Sequence, residues 1–320
     1  MKYLRVLGIA VGLSMLGYLV HKAGFSTIRQ SLGWLGWRYV FVLASALAWD
    51  WVNTIGFQKA FGKRKLKTSF ARLFEIRIVG ETFNALLPSG YVGGEPLKAK
   101  FLAADMPLHE AASSVLVAKV AQSLALVIYL VLGLAVVQPD HGSPLRQREV
   151  LIGISLLALG IGVFAVLIAR GSFSQWVGWL HRWTRHPWLK SQESRLLRLD
   201  QSLREFFLHE KKQFLASLLW HSLGWFVSAM EVPLIYYLLG SPITWQEGWF
   251  IAAMAQLGSS VAFAIPAGIG FYEGGHYLAA SLLGLPPSIA IGVGLIRRVR
   301  ELFWHGIGIL LFWHLSKEVR

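Results

Sequence analysis

The chain contains no cysteine, which excludes disulfides, thiolate metal sites and cysteine nucleophiles. Charge is scarce as well: 15% of the 320 residues are Asp, Glu, Lys or Arg. Only four aspartates occur and none is paired, which argues against an aspartate-rich site for Mg²⁺–diphosphate chemistry. There is no Gly-x-x-x-x-Gly-Lys-Ser/Thr loop, so ATP does not power the chain directly. His-Glu-x-x-His and Gly-x-Ser-x-Gly are missing too. No metal and no cofactor is expected.

What is present is apolar and comes in blocks. Hydrophobic residues make up 55% of the chain, and the mean hydropathy is +0.51. A soluble domain would break them up with surface charge at helical or strand period. Val150–Ala169 instead runs without a charge and with Ser155 as its one hydroxyl. A bilayer core takes about 20 such residues at helical rise. Spans are expected over 4–21, 36–58, 111–137, 150–169, 213–239 and 288–315. Two further stretches, 69–105 and 247–285, are apolar but interrupted by Gly, Pro and charge. Lys2 and Arg5 before Val6–Val20 resemble a signal peptide, but His21-Lys22-Ala23-Gly24 offers no small-x-small cleavage site, so an uncleaved first helix is expected.

The formal charge of +14 belongs to the connections. Residues 59–77 hold Lys59, Lys63, Arg64, Lys65, Lys67, Arg72 and Arg77; residues 170–212 hold nine cations against four acids. This placement points to anionic lipid head groups and the positive-inside rule, not to nucleic acid. It puts both connections and both termini on the cytoplasmic side of a cell (inner) membrane, provided each interrupted stretch makes an even number of crossings. Residues 170–212 are expected either to lie on the membrane as an amphipathic helix anchored by Trp176, Trp179, Trp183 and Trp188, or to form a solvated linker helix.

One self-match organises the chain. Pro88, Gly90 and Glu95 recur as Pro266, Gly268 and Glu273 at an offset of 178, and the same offset carries Lys119 onto Arg297. The expected fold is therefore an all-α, polytopic bundle in one membrane domain over 1–320. Repeat one covers about 36–137 and repeat two about 213–315, with the basic linker 170–212 between them. The crossing order makes the copies opposite in orientation, as in secondary transporters whose broken helices line the substrate site. Pro and Gly break the helix and free backbone N–H groups, which is tolerable at depth only inside protein or beside a wet cavity.

Lys119 and Arg297 should lie deep in their helices, where charge is costly and faces inward. A structural Arg297–Glu301 pair is one reading. It leaves Arg298 and Arg300 unmatched, which favours an anion site. Glu95 could neutralise Lys98 or Lys119. His276, at the position equivalent to Lys98, is a candidate proton shuttle or a packing residue. Asp50 and Glu231 are intramembrane acids suited either to proton coupling or to capping the bundle interior.

Leu87–Leu102, reading LPSGYVGGEPLKAKFL, resembles the first signature of the lysylphosphatidylglycerol synthase transmembrane-region family, also called flippase-like. Ile265–Glu273, reading IPAGIGFYE, with Gly284-Leu285 and Arg297, is similar to its second. Family members often carry Arg where Lys98 stands, a departure that keeps the charge but loses bidentate phosphate binding. The resemblance implies translocation of a polar or anionic lipid: a phospholipid, an aminoacylated phospholipid or an isoprenoid-type lipid. In the synthases a soluble catalytic domain follows; this chain ends at Arg320 without one, so synthase activity is not implied. The head-group site would draw on Asn84, Pro88, Gly90, Gly93, Gly94, Glu95, Lys98, Lys119 and Gln122, and on Pro266, Gly268, Gly270, Glu273, His276, Arg297, Arg300 and Glu301. Lys98 or Lys119 and Arg297 or Arg300 would hold the phosphate, with Glu95 and Glu273 orienting those cations. Two other readings stay open. One is an intramembrane transferase with Glu95 or Glu273 as general base. The other is an accessory subunit recruiting a lipid-modifying enzyme. Expected partners are membrane lipids, with a homodimer or such an enzyme as protein partner.

Overall fold

The computed structural model describes residues 33–64, 67–87, 93–136, 144–184, 187–261 and 270–318. The expected span at 4–21 lies outside them, as do Pro88, Gly90, Pro266 and Gly268. Among the described residues every regular element is helical. Helix α1 is Tyr39–Lys59, α2 Phe70–Leu86, α3 Glu95–Leu102 and α4 Leu108–Ala135. Then follow α5 Pro144–Arg170, α6 Phe173–Thr184 and α7 Pro187–His209. The last four are α8 Lys211–Leu238, α9 Trp245–Val261, α10 Phe271–Leu282 and α11 Pro287–Glu318.

Among the described residues four helices are long and apolar enough to cross a membrane: Gly33–Lys59, Leu108–Ala135, Ile152–Arg170 and Lys211–Leu238. Helix α11 has 32 residues, ample length, but carries Arg297, Arg298, Arg300 and Glu301 in one stretch. In each of the two interrupted stretches the described residues form a 17-residue helix and a shorter one after it. Seventeen residues rise about 25 Å, short of a core of about 30 Å.

Helix α2 starts earlier than the charge pattern implied. The Ser69 hydroxyl accepts from the Arg72 N–H at 3.2 Å and caps the helix. Arg72 and Arg77 therefore sit on α2 rather than in a cytoplasmic loop, and Arg77 is buried. The local charge count misled because a helix that hides its cations against acids reads like a basic connection. Arg64 of the same stretch is tied down too, donating to the hydroxyls of Ser113, Ser114 and Ser202 at 3.1, 2.7 and 2.9 Å.

Residues 170–212 form two helices instead of one. Gly171, at φ +55°, turns the chain, and the Asp200 carboxylate of α7 accepts from the Phe173 and Ser174 N–H groups at 2.9 and 2.8 Å. Helix α6 thereby folds back on α7. It leaves Trp176, Trp179 and Trp183 exposed in a row of neighbouring rings. The side chain of Trp188 lies outside the described residues.

Shifted by 178, α1 to α4 fall on α8 to α11 in order. Their contacts exchange as under a two-fold axis: α1 packs on α8, α2 on α11 and α4 on α9. Within each copy the short helix nests against the helix before it. A Cβ on Gly94 would collide with the Gly80 carbonyl, and one on Gly258 would come within 2.6 Å of the Phe271 carbonyl. Gly80 and Gly258 are again 178 apart. Two apolar cores flank the interface, one around Leu73, Val117 and Leu203, the other around Leu130, Val232 and Ala253.

Candidate functional site

A cavity of about 580 Å³ opens in the middle of the bundle. It is lined by both members of eight residue pairs 178 apart, among them Asp50 with Ser228, Glu81 with Ser259, Lys119 with Arg297, and Gln122 with Arg300. One wall is aromatic and polar, with Trp49, Trp225, Tyr272 and Trp304. Another is apolar and comes from α5, through Leu156, Leu157, Ile161 and Phe164.

The charges around it form two networks. In the first copy, Asp50 on α1 is paired with Arg77 on α2. The Lys98 ammonium sits 2.6 Å from Glu81 and 3.2 Å from Glu95, and Lys119 is 3.4 Å from Glu95. Asn84 joins the end of α2 to the start of α3: its amide donates to Glu95 at 2.9 Å and its carbonyl accepts from the Gly94 N–H at 2.7 Å. In the second copy, Glu231 takes Arg300 and, at 3.5 Å, Arg297. Arg298 bridges Glu273 at 2.8 Å and Glu301 at 2.7 Å, and Glu301 is also 3.5 Å from Arg300. The Glu273 carboxylate accepts from the Gly270 N–H at 2.8 Å as well, closing the first turn of α10.

Three expectations need correction. Arg298 and Arg300 are not surplus cations, since each meets carboxylates. Glu301 pairs with Arg298 and Arg300, while Arg297 turns to Glu231 and to the Ser228 hydroxyl, 3.0 Å away. Glu273 holds Arg298, not Arg297 or Arg300. Counting i,i+4 neighbours on α11 could not reveal an acid arriving from α8.

Each network balances three acids against three cations, so the weak pairings stand out. Lys119 and Arg297 both line the cavity, and each has its closest carboxylate at 3.4–3.5 Å. The Arg297 Nε is buried without a hydrogen-bond partner among the described residues. Lys98 and Glu95 stand one layer behind, lining a small crevice with Arg77, Glu81 and Lys119. Gln122 and Arg300 line the cavity itself. His276 does not: it is fully buried against the Tyr272 ring, centroids 5.0 Å apart, and its nitrogens meet no partner among the described residues. Gly93 lies half-buried in the turn before α3. Sequence reasoning missed Arg77 and Glu81. The signal was Ser69 as an N-cap, which puts Arg77 and Glu81 four apart on one helix face.

The model of the lysylphosphatidylglycerol synthase TM region matches residues 5–307. The chain belongs to this family. Its two signature stretches in this member place Glu95 and Glu273 at the starts of α3 and α10, facing the helices that carry Lys119 and Arg298. No curated protein and no solved structure gives a significant match to this lysylphosphatidylglycerol synthase TM region.

Proposed function

We propose that the chain is a lipid flippase of the cell (inner) membrane, with both termini cytoplasmic, which moves a polar, phosphate-bearing lipid between leaflets and is not an enzyme. The observation that carries this reading is the pair Lys119 and Arg297: equivalent positions of the two copies, both on the central cavity, both loosely held. A phosphate between them would receive charge-assisted hydrogen bonds from each side. Inverted repeats with the site at their interface are a transporter architecture. The cavity is of ligand-pocket size and suits a head group, not two long acyl chains. The chains would stay in the bilayer, with the apolar α5 wall facing them. Glu95 and Glu231 hold the two cations between substrates. Lys98 and Arg300 back them up. Asp50 and Glu231, both engaged with arginines, remain the candidates for proton coupling.

Proteoliposomes with a labelled phospholipid test this. Lys119→Ala and Arg297→Ala each remove a charged hydrogen bond worth about 1.5–3 kcal/mol, so flipping should slow roughly 10- to 150-fold. Unchanged rates in both variants would sink the reading. Product formation in detergent, where no leaflets exist, would favour a transferase instead.

A further inference from the structure

Among the described residues the two copies make the same helix–helix contacts with one exception. Helix α8 lies along α4, where the Trp225 ring stacks on Tyr129 with centroids 5.3 Å apart and its Nε1–H donates to the Gln122 carbonyl at 3.3 Å. The equivalent pair, α1 and α11, hardly meets. The residues 178 away from Trp225, Gln122 and Tyr129 are Leu47, Arg300 and Ile307. Leu47 is 42% exposed, Arg300 lines the cavity, and among the described residues nothing lies within 4 Å of a Cβ placed on Gly306, beside Ile307. At the start of α1, Tyr39 donates to the Ile296 carbonyl at 2.8 Å, which ties that end of α1 to α11.

We infer that α4–α8 and α1–α11 are two doors to the one central cavity, the first shut and the second open here, and that they exchange. The inference rests on the flippase reading and supplies its moving parts. Two repeats of one design can each adopt the packing that the other shows, and packed interfaces switch between discrete arrangements rather than deforming continuously. In the second state α1 closes on α11 through Leu47 and Ile307, while Trp225 leaves Tyr129. Trp225 is the latch: the closing residue is an aromatic with a hydrogen bond on one side and a leucine on the other, which accounts for which door is shut.

The native chain has no cysteine, so labels can be placed without background. Spin labels at Leu47→Cys with Ile307→Cys report one door. Labels at Leu132→Cys with Leu223→Cys, both on exposed positions, report the other. In nanodiscs of phosphatidylglycerol against phosphatidylcholine, the α1–α11 distance should shorten in the same fraction of molecules in which the α4–α8 distance lengthens. Trp225→Leu should raise that fraction about two- to tenfold, as loss of one stacked aromatic pair would. Single, unchanging distances in both lipids and in Trp225→Leu, with lipid still flipping, would overturn the two doors and leave the flippase reading standing. Exchanging distances without any flipping would do the reverse.

Discussion

The two copies keep the same charge balance by different wiring. In the first, the acid of the long helix, Asp50, is absorbed by Arg77 on the neighbouring α2, and Glu95 is left to hold lysines. In the second, the position equivalent to Arg77 is Ala255, and Glu231 reaches across to two arginines on α11. Glu273, the counterpart of Glu95, then serves Arg298 and its own helix start. What the duplicated architecture preserves is neutrality around a deep cation, not a set of contacts.

That difference has measurable consequences. Glu231 serves two guanidiniums, and the lost acid has no equal substitute for Arg297, so Glu231→Gln should cost about 3–5 kcal/mol, the range for breaking a buried pair from one side. Glu95→Gln should cost less, because Lys98 keeps Glu81 and the new amide oxygen still accepts from Asn84, so that Lys119 is the one cation to lose its carboxylate. Thermal unfolding of the detergent-solubilised protein ranks the two. Equal losses would show that the wiring does not matter.

Much of the bundle was legible in the sequence: the apolar blocks, the all-helical membrane class, the recurrence of Glu95 as Glu273 and of Lys119 as Arg297. These depend on local chain chemistry and on spacing. The pairing of charges was not legible, because a residue's partner is set by which helix packs opposite. Arg77 looked like loop charge until Ser69 was seen to cap α2, and Arg298 looked unmatched until α10 brought Glu273 beside it. The double helix at 170–212 turned on Gly171 and Asp200, whose meeting spans the whole of α6.

Glycine contacts sharpen the comparison at smaller scale. Gly94→Ala drives a methyl into the Gly80 backbone, whereas Gly258→Ala meets the Phe271 carbonyl at 2.6 Å, tight but farther. Overpacking of this kind costs about 1–3 kcal/mol. We expect Gly94→Ala near the top of that range and Gly258→Ala near the bottom, read from the same unfolding assay. The reverse order would mean that the second copy's hairpin is the more rigid. Least of all should be Glu318→Gln. It breaks the half-exposed Arg72–Glu318 pair that joins α2 to α11, worth about 0–1 kcal/mol and fading with added salt. A large, salt-insensitive loss there would make this outer contact a hinge between the copies.

The ion pairs that surround the cavity each lie wholly within one copy: Asp50, Glu81 and Glu95 with Arg77, Lys98 and Lys119, and Glu231, Glu273 and Glu301 with Arg297, Arg298 and Arg300. If the two doors exchange as inferred, one copy rocking against the other would carry its charges along as a neutral parcel. A membrane voltage does work of about 2.3 kcal/mol per elementary charge per 100 mV, and on two neutral parcels it has almost nothing to pull. The empty protein would in this sense be electrically silent, and any voltage dependence of a full cycle would belong to the charge on the lipid and to any proton coupled through Asp50 or Glu231.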